Sequence, residues 1–135
     1  MMAIGRTRRA WDAHTKAVAL EIGIPDSYRL IISFLARRPG ANQKEIAEFG
    51  NVTTAAVNQT IKEMQAKEYI RMETDEGDRR YTRLYLTDKG HEKSELLRKS
   101  LHKSDGVITE MIGKEKEDEI VALLNEVYIV IREGL

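Results

Sequence analysis

The chain has 135 residues, of which 41% are hydrophobic and 33% are charged, and this composition favours one compact domain over a disordered chain. Its 22 basic and 22 acidic side chains balance, so net charge names no partner, and the absence of cysteine excludes disulfides, thiolate metal sites and cysteine catalysis. No apolar run is long enough to span a bilayer and no signal peptide is evident, so we expect a cytoplasmic protein without a membrane partner.

Apolar spacing predicts two helices at the start of the chain. The first covers residues 8–22, and the second begins after Pro25, with Asp26-Ser27 as its capping residues. Pro39-Gly40 ends the second helix, because proline cannot continue a helix and glycine readily takes the conformation that follows one.

Capping patterns predict a third and a fourth helix. The spacing from Asn42 to Glu45 is a capping-box variant that opens a short helix over 43–49, with Ile46, Ala47 and Phe49 directed inward. Thr53 or Thr54 then caps a helix that runs to about residue 67. The apolar stripe of this fourth helix consists of Val57, Ile61 and Met64.

A change of period after the fourth helix predicts a β-hairpin. Residues 69–74 are strand-like, residues 75–78 form a turn, and from Arg80 apolar and polar residues alternate as far as Leu86. A long helix follows to Gly113, and a last helix covers 114–133. Three helices followed by a hairpin define the fold class as mainly α with a small β-hairpin wing, a winged helix-turn-helix flanked by outer helices.

The outer helices carry apolar faces wider than a domain of this size can cover. We therefore expect a partner chain to cover them, as in a homodimer. The predicted organisation is a single domain over 1–135, with dimerisation helices at 1–24 and 91–135 around a core at 25–90.

The outward face of the fourth helix suits duplex DNA. Asparagine and glutamine amides can make two-point contacts with adenine, lysine can reach guanine or phosphate, and a small alanine permits close approach. A plain solvated helix face would explain the same polar side chains. The candidate DNA contacts of this helix are Thr53, Thr54, Ala55, Asn58, Gln59 and Lys62.

The hairpin carries arginines at or just past its tip. A guanidinium on a narrow hairpin can enter the minor groove, and a carboxylate beside it can hold it in one rotamer. A surface ion pair of ~0–1 kcal/mol with no role in binding is the alternative explanation. The candidate wing contacts are Asp78, Arg79, Arg80 and Arg83.

In combination these segments resemble the DNA-binding core of the MarR family of winged-helix transcriptional regulators. The runs that carry the resemblance are Asn42 to Glu48, Ala56 to Met64, Lys67 to Arg71, and Asp78-Arg79-Arg80 through Leu86-Thr87-Asp88-Lys89-Gly90. The resemblance implies a two-fold dimer that binds pseudo-palindromic duplex DNA, usually as a repressor, and often releases it on binding a small molecule. It places Arg80 as the wing arginine and Asp78 as its brace. Asn58-Gln59 stands where many members have serine or threonine and then arginine, so the operator does not follow by analogy.

Catalysis and metal binding have little support in the sequence. The three histidines lack metal-binding spacing, and no nucleophile elbow or phosphate loop occurs. We therefore expect no enzyme activity, catalytic residue, cofactor or metal. By resemblance, an effector pocket would lie between the dimer helices and the winged domain, although ordinary packing explains its aromatics equally well. The candidate pocket residues are Trp11, His14, Tyr28 and Phe34.

These features together predict a sequence-specific, DNA-binding transcriptional regulator. We expect it to act as a homodimer, to repress, and to respond to a small-molecule effector. The alternative is a winged-helix interaction or assembly module without a specific operator. That alternative predicts weak DNA binding that salt abolishes, and no effect of replacing Asn58 or Gln59.

Overall fold

A computed structural model describes residues 2–134. Within that range the chain forms six helices and one antiparallel two-stranded sheet, so the predicted winged helix-turn-helix is confirmed. In chain order the elements are α1 (Met2–Glu21), α2 (Asp26–Arg37), α3 (Gln43–Gly50), α4 (Thr54–Ala66), β1 (Ile70–Thr74), β2 (Thr82–Leu86), α5 (Asp88–Ile112) and α6 (Lys114–Gly134).

The chain packs as two compact units that divide between Lys99 and Ser100, inside α5. The first unit contains α1 to α4, the hairpin and the first half of α5. The second unit contains the rest of α5 together with α6, and Gly113, with φ of +85°, separates these two helices. Within residues 2–134 no helix is long and apolar enough to cross a membrane.

The core of the first unit lies where α2, α3, α4 and the hairpin meet. The predicted α4 stripe of Val57, Ile61 and Met64 is buried there, so the opposite face of that helix is turned to solvent. Leu84 and Leu86 of β2 are also buried, as the alternation predicted. β1 and β2 pair from Ile70 opposite Leu86 to Thr74 opposite Thr82. The remaining large core side chains include Tyr28, Ile31, Ile32, Leu35 and Ile46.

The starts of α3 and α4 are as predicted. The Glu45 backbone N–H donates to Asn42 Oδ1 at 3.0 Å and the Asn42 N–H donates to Glu45 Oε2 at 2.9 Å, which completes the capping box. The Thr53 hydroxyl accepts the Ala56 N–H at 3.1 Å and caps α4. The prediction for α2 was wrong by one position. Pro25 occupies the N-cap and Asp26 begins the helix, because proline needs no N–H partner there and its fixed φ suits the helix entry.

Three further predictions need correction. α1 begins at Met2 and not at Arg8, because its first residues are helical without an apolar face that sequence periodicity can detect. α3 continues to Gly50, since Asn51 takes the left-handed conformation that ends it. Phe49 is 56% exposed and not inward, although its ring lies against Phe34 with the two ring centroids 4.9 Å apart.

The residues that follow β2 are hydrogen-bonded to the residues that follow α4. The Thr87 hydroxyl donates to the Glu68 carbonyl at 2.5 Å and accepts the Gly90 N–H at 3.2 Å. Lys89 Nζ donates to the Lys67 carbonyl at 2.8 Å. Lys67 and Glu68 directly follow α4, and these bonds give their backbone carbonyls hydrogen-bond partners. They give the side chains of Thr87 and Lys89 a structural role at this junction.

Candidate nucleic-acid interface

The predicted contact residues of α4 lie where the sequence analysis placed them. Ala55, Gln59 and Lys62 are exposed, while Asn58 is half-buried. Thr53 and Thr54 stand at the start of the helix, where unpaired backbone N–H groups and the positive end of the helix dipole favour an anion such as phosphate.

The amide of Gln59 has a partner that the sequence analysis missed. Its Nε2 donates to Glu63 Oε1 at 3.0 Å, one helical turn further along α4. The spacing of four residues is the signal that could have identified this pair, because side chains at i and i+4 are neighbours on a helix surface. Lys62 lies between them in sequence, and within residues 2–134 it takes part in no ion pair.

Arg80 combines exposure with a fixed position. Its Nε and Nη2 donate to the two carboxylate oxygens of Asp78 at 3.2 and 3.4 Å, and its backbone N–H donates to Asp78 Oδ1 at 3.0 Å. The Arg80 side chain is nevertheless 90% exposed. A two-point pair of this kind restricts the guanidinium without covering it. The predicted role of Asp78 as a brace for Arg80 therefore has the matching geometry, and the adjacent Arg79 is exposed.

Arg83 lies lower on the wing than the other arginines and is held differently. Its Nε donates to Asp75 Oδ2 at 2.5 Å and its Nη1 donates to the Gly40 carbonyl at 3.2 Å. The second bond ties the wing to the turn between α2 and α3. These contacts indicate that Arg83 stabilises the base of the wing. The alternating sequence pattern did not predict them.

Asp75 organises the turn that leads into the wing tip. Its Oδ1 accepts the Gly77 N–H at 2.7 Å and the Asp78 N–H at 3.1 Å. These two backbone bonds, together with the Arg83 guanidinium, hold the pKa of the Asp75 carboxyl below its ordinary value. The carboxylate therefore stays ionised at neutral pH. An aspartate that begins a turn and bonds the backbone two residues later is a common turn pattern, and it was the available signal for Asp75.

The four predicted pocket residues take part in three separate ring contacts. Trp11 and His14 lie against each other on α1 with ring centroids 5.5 Å apart. Tyr28 is fully buried against the edge of Tyr69, with centroids 5.6 Å apart, and its hydroxyl has no hydrogen-bond partner among the described residues. Phe34 contacts Phe49 and lines a surface groove of about 510 Å³ with Arg37 and Arg38. No group of three or more histidine, aspartate or glutamate side chains within residues 2–134 is placed to hold a metal ion.

Known proteins resemble the chain in both sequence and fold. Residues 22–80 match the MarR family. The HTH-type transcriptional regulator YybA of Bacillus subtilis is 26% identical over 124 residues, which span 92% of this chain and 83% of YybA. MarR of Staphylococcus aureus, solved with salicylate and kanamycin, superposes with a TM-score of 0.86 at 19% identity, over 98% of this chain and 90% of that one. The repressor CouR, solved on a 23-mer DNA duplex, superposes with a TM-score of 0.82 at 20% identity, over 93% and 89% of the two chains. At these identities the structural matches establish the fold.

Proposed function

Because residues 22–80 match the MarR family, we propose that the protein is a sequence-specific, duplex-DNA-binding transcriptional regulator that acts as a homodimeric repressor. The observation that carries this proposal is the pairing of two features in one unit. The polar face of α4 is turned to solvent, and the wing presents Arg80 in a fixed and exposed position. These are the two parts that a winged helix needs for the major and minor grooves.

The contact residues divide into those that select sequence and those that supply affinity. Asn58 and Gln59 carry amides that can distinguish adenine by two hydrogen bonds, so we assign sequence choice to them. We assign Thr53 and Thr54, at the start of α4, to phosphates, and Lys62 to guanine or phosphate. Arg80, with Arg79 beside it, serves the minor groove. Arg83 supports the wing from its base through Asp75 and Gly40.

The apolar surface of α6 supports the homodimer. None of its described residues is buried, and its apolar side chains spread over about half of the helix circumference at 100° per residue. A single chain does not leave such a surface in water without a partner. The large apolar residues of α6 are Ile120, Val121, Leu123, Leu124, Val127, Tyr128, Val130 and Ile131 on this arc, with Ile129 opposite.

A dimer fixes the geometry of the operator. A two-fold axis places the two α4 helices in successive major grooves on one side of the duplex, with half-sites about 10 base pairs apart. Selection of bound sequences from a random duplex pool, at near-physiological salt, tests this directly. We expect a two-fold symmetric motif. A folded dimer that enriches no motif would contradict the proposal and favour an interaction module.

An effector is part of the proposal because MarR of Staphylococcus aureus has been solved with salicylate. Two features support the predicted pocket residues. The Trp11 and His14 rings form an exposed pair, and the buried Tyr28 hydroxyl has no partner among the described residues. Buried polar groups without partners are uncommon in folded proteins, and a bound ligand or water is one explanation for such a group. Repeating the DNA-binding assay with salicylate present tests for release.

Replacing Arg80 with alanine is expected to weaken operator binding by more than about 1 kcal/mol and to lower the salt dependence by about one contact per wing. The loss follows from removing a guanidinium that Asp78 already holds in place, so little ordering is needed on binding. Affinity measured over a range of salt concentrations gives both quantities.

Arg98→Ala is the matched control for this substitution. It removes the same charge from a guanidinium that is likewise paired with a carboxylate, Glu95, at 3.0 and 2.7 Å, but Arg98 lies on α5, outside the wing and the α4 face. We expect it to leave the salt slope almost unchanged. If both variants bind operator like the unmodified protein, the assignment of the wing is wrong.

A further inference from the structure

We propose that Glu63 is a positioning residue that makes Gln59 read adenine in preference to guanine. The proposal rests on the function proposed above, since it concerns the same face of α4. Glu63 was not among the predicted contact residues, and its negative charge disfavours any role in binding phosphate. Its place beside Gln59 gives it a role in selectivity instead.

The geometry fixes the orientation of the Gln59 amide. Glu63 Oε1 lies 3.0 Å from Gln59 Nε2. An ionised carboxylate can only accept hydrogen bonds, so it must face the nitrogen end of the amide and not the oxygen end. Glu63 takes part in no ion pair within the described residues, and Gln59 is the hydrogen-bond partner of its carboxylate. Both side chains are exposed, and the contact therefore lies on the surface that would meet DNA.

The groups left on Gln59 suit adenine better than guanine. One N–H is given to Glu63, so one N–H and the carbonyl oxygen remain for a base edge. Adenine offers N7 as an acceptor and the N6 amino group as a donor, which matches this remaining pair. Guanine offers two acceptors, N7 and O6, and a glutamine needs both of its N–H groups to satisfy them. Binding guanine would therefore break the bond to Glu63 or leave O6 facing the amide oxygen.

The Glu63 carboxylate adds to this preference electrostatically. A negative charge beside the base edge repels the guanine O6 and N7 acceptors and tolerates the adenine amino group. Specificity built in this way depends on disfavouring the wrong base as much as on binding the right one. Loss of the carboxylate should therefore raise binding to guanine-containing sites more than binding to adenine-containing sites.

The test is a competition between operators that carry adenine or guanine at the position assigned to Gln59 by sequence selection. In the Glu63→Ala variant we expect the preference for adenine to fall about tenfold, which is within the discrimination that one two-point contact supplies. Alanine keeps the helix, since it has the highest helix propensity. Glu48→Ala, on α3, removes the same charge from another exposed helical position and should leave the preference unchanged.

A second background separates an indirect role from direct reading. When Gln59→Ala is already present, adding Glu63→Ala should change base preference much less than in the unmodified protein, because the side chain that Glu63 orients is missing and only the electrostatic effect of the carboxylate remains. An equal fall in both backgrounds would show that Glu63 touches the base itself and would overturn the inference. An unchanged preference in the single variant would overturn it as well. If the unmodified protein selects no motif, the proposed function fails with it, whereas a clear motif with an unaffected variant removes this inference alone.

Discussion

Gly90→Ala is expected to destabilise the first unit by about 3 kcal/mol or more, the largest effect on folding that we predict. A Cβ atom at Gly90 would collide with the backbone carbonyl of Tyr69 and lie 3.1 Å from Leu86 Cδ2. The carbonyl cannot move aside freely, since it accepts the Thr87 N–H at 3.1 Å. The clash therefore pushes the first turn of α5 away from the chain segment that joins α4 to β1.

The measurement is urea denaturation, with Gly106→Ala as the comparison in the part of α5 that belongs to the second unit. A Cβ at Gly106 meets nothing within 4 Å, and the position lies inside α5. Alanine there is expected to raise the free energy of unfolding by about 0.5–1 kcal/mol, because it favours the helix over the unfolded chain. The two substitutions are chemically identical and should have opposite signs. A Gly90→Ala variant as stable as the unmodified protein would show that the start of α5 and the Tyr69 carbonyl can move apart without loss of stability.

The features that sequence predicts well in this chain are local or periodic. The bonds between Asn42 and Glu45 depend only on residues three apart, and the burial of Val57 and Ile61 follows from helical spacing. Alternation placed Leu84 and Leu86 in the core for the same reason. In each case the hydrogen bond or the buried position depends on residues that are close together in the sequence.

The features that sequence reasoning missed depend on tertiary contacts or on weak local signals. Nothing near Arg83 in sequence indicates the Gly40 carbonyl, 43 positions away, because the packing of the wing against the α2–α3 turn brings them together. Phe49 has the right spacing for the core but lies at the end of α3, where Phe34 covers only part of its ring. Glu63 has an ordinary helical spacing from Gln59. A role for it in orienting Gln59 can be inferred only after that face of α4 has been assigned to DNA.

Leu124→Glu is expected to convert the proposed homodimer to a monomer and to reduce operator affinity by about 100-fold or more. Leu124 lies within the apolar arc of α6 and is 45% exposed in the single chain, so a partner would bury it. A buried glutamate without a cation partner is strongly unfavourable, and the two-fold axis places two of them in one interface. The linked loss of DNA binding follows because each half-site would then be bound separately.

Ala122→Glu is the control, since it adds the same charge to the same helix about 160° away from Leu124 around the axis. That variant should remain a dimer by analytical ultracentrifugation and should bind the operator normally. Light scattering and operator titration on both variants give mass and affinity together. A monomeric Leu124→Glu protein with full operator affinity would show that one winged helix suffices for recognition. A dimeric one would show that the apolar arc of α6 is not the interface, and the association would then have to involve the other outer helices.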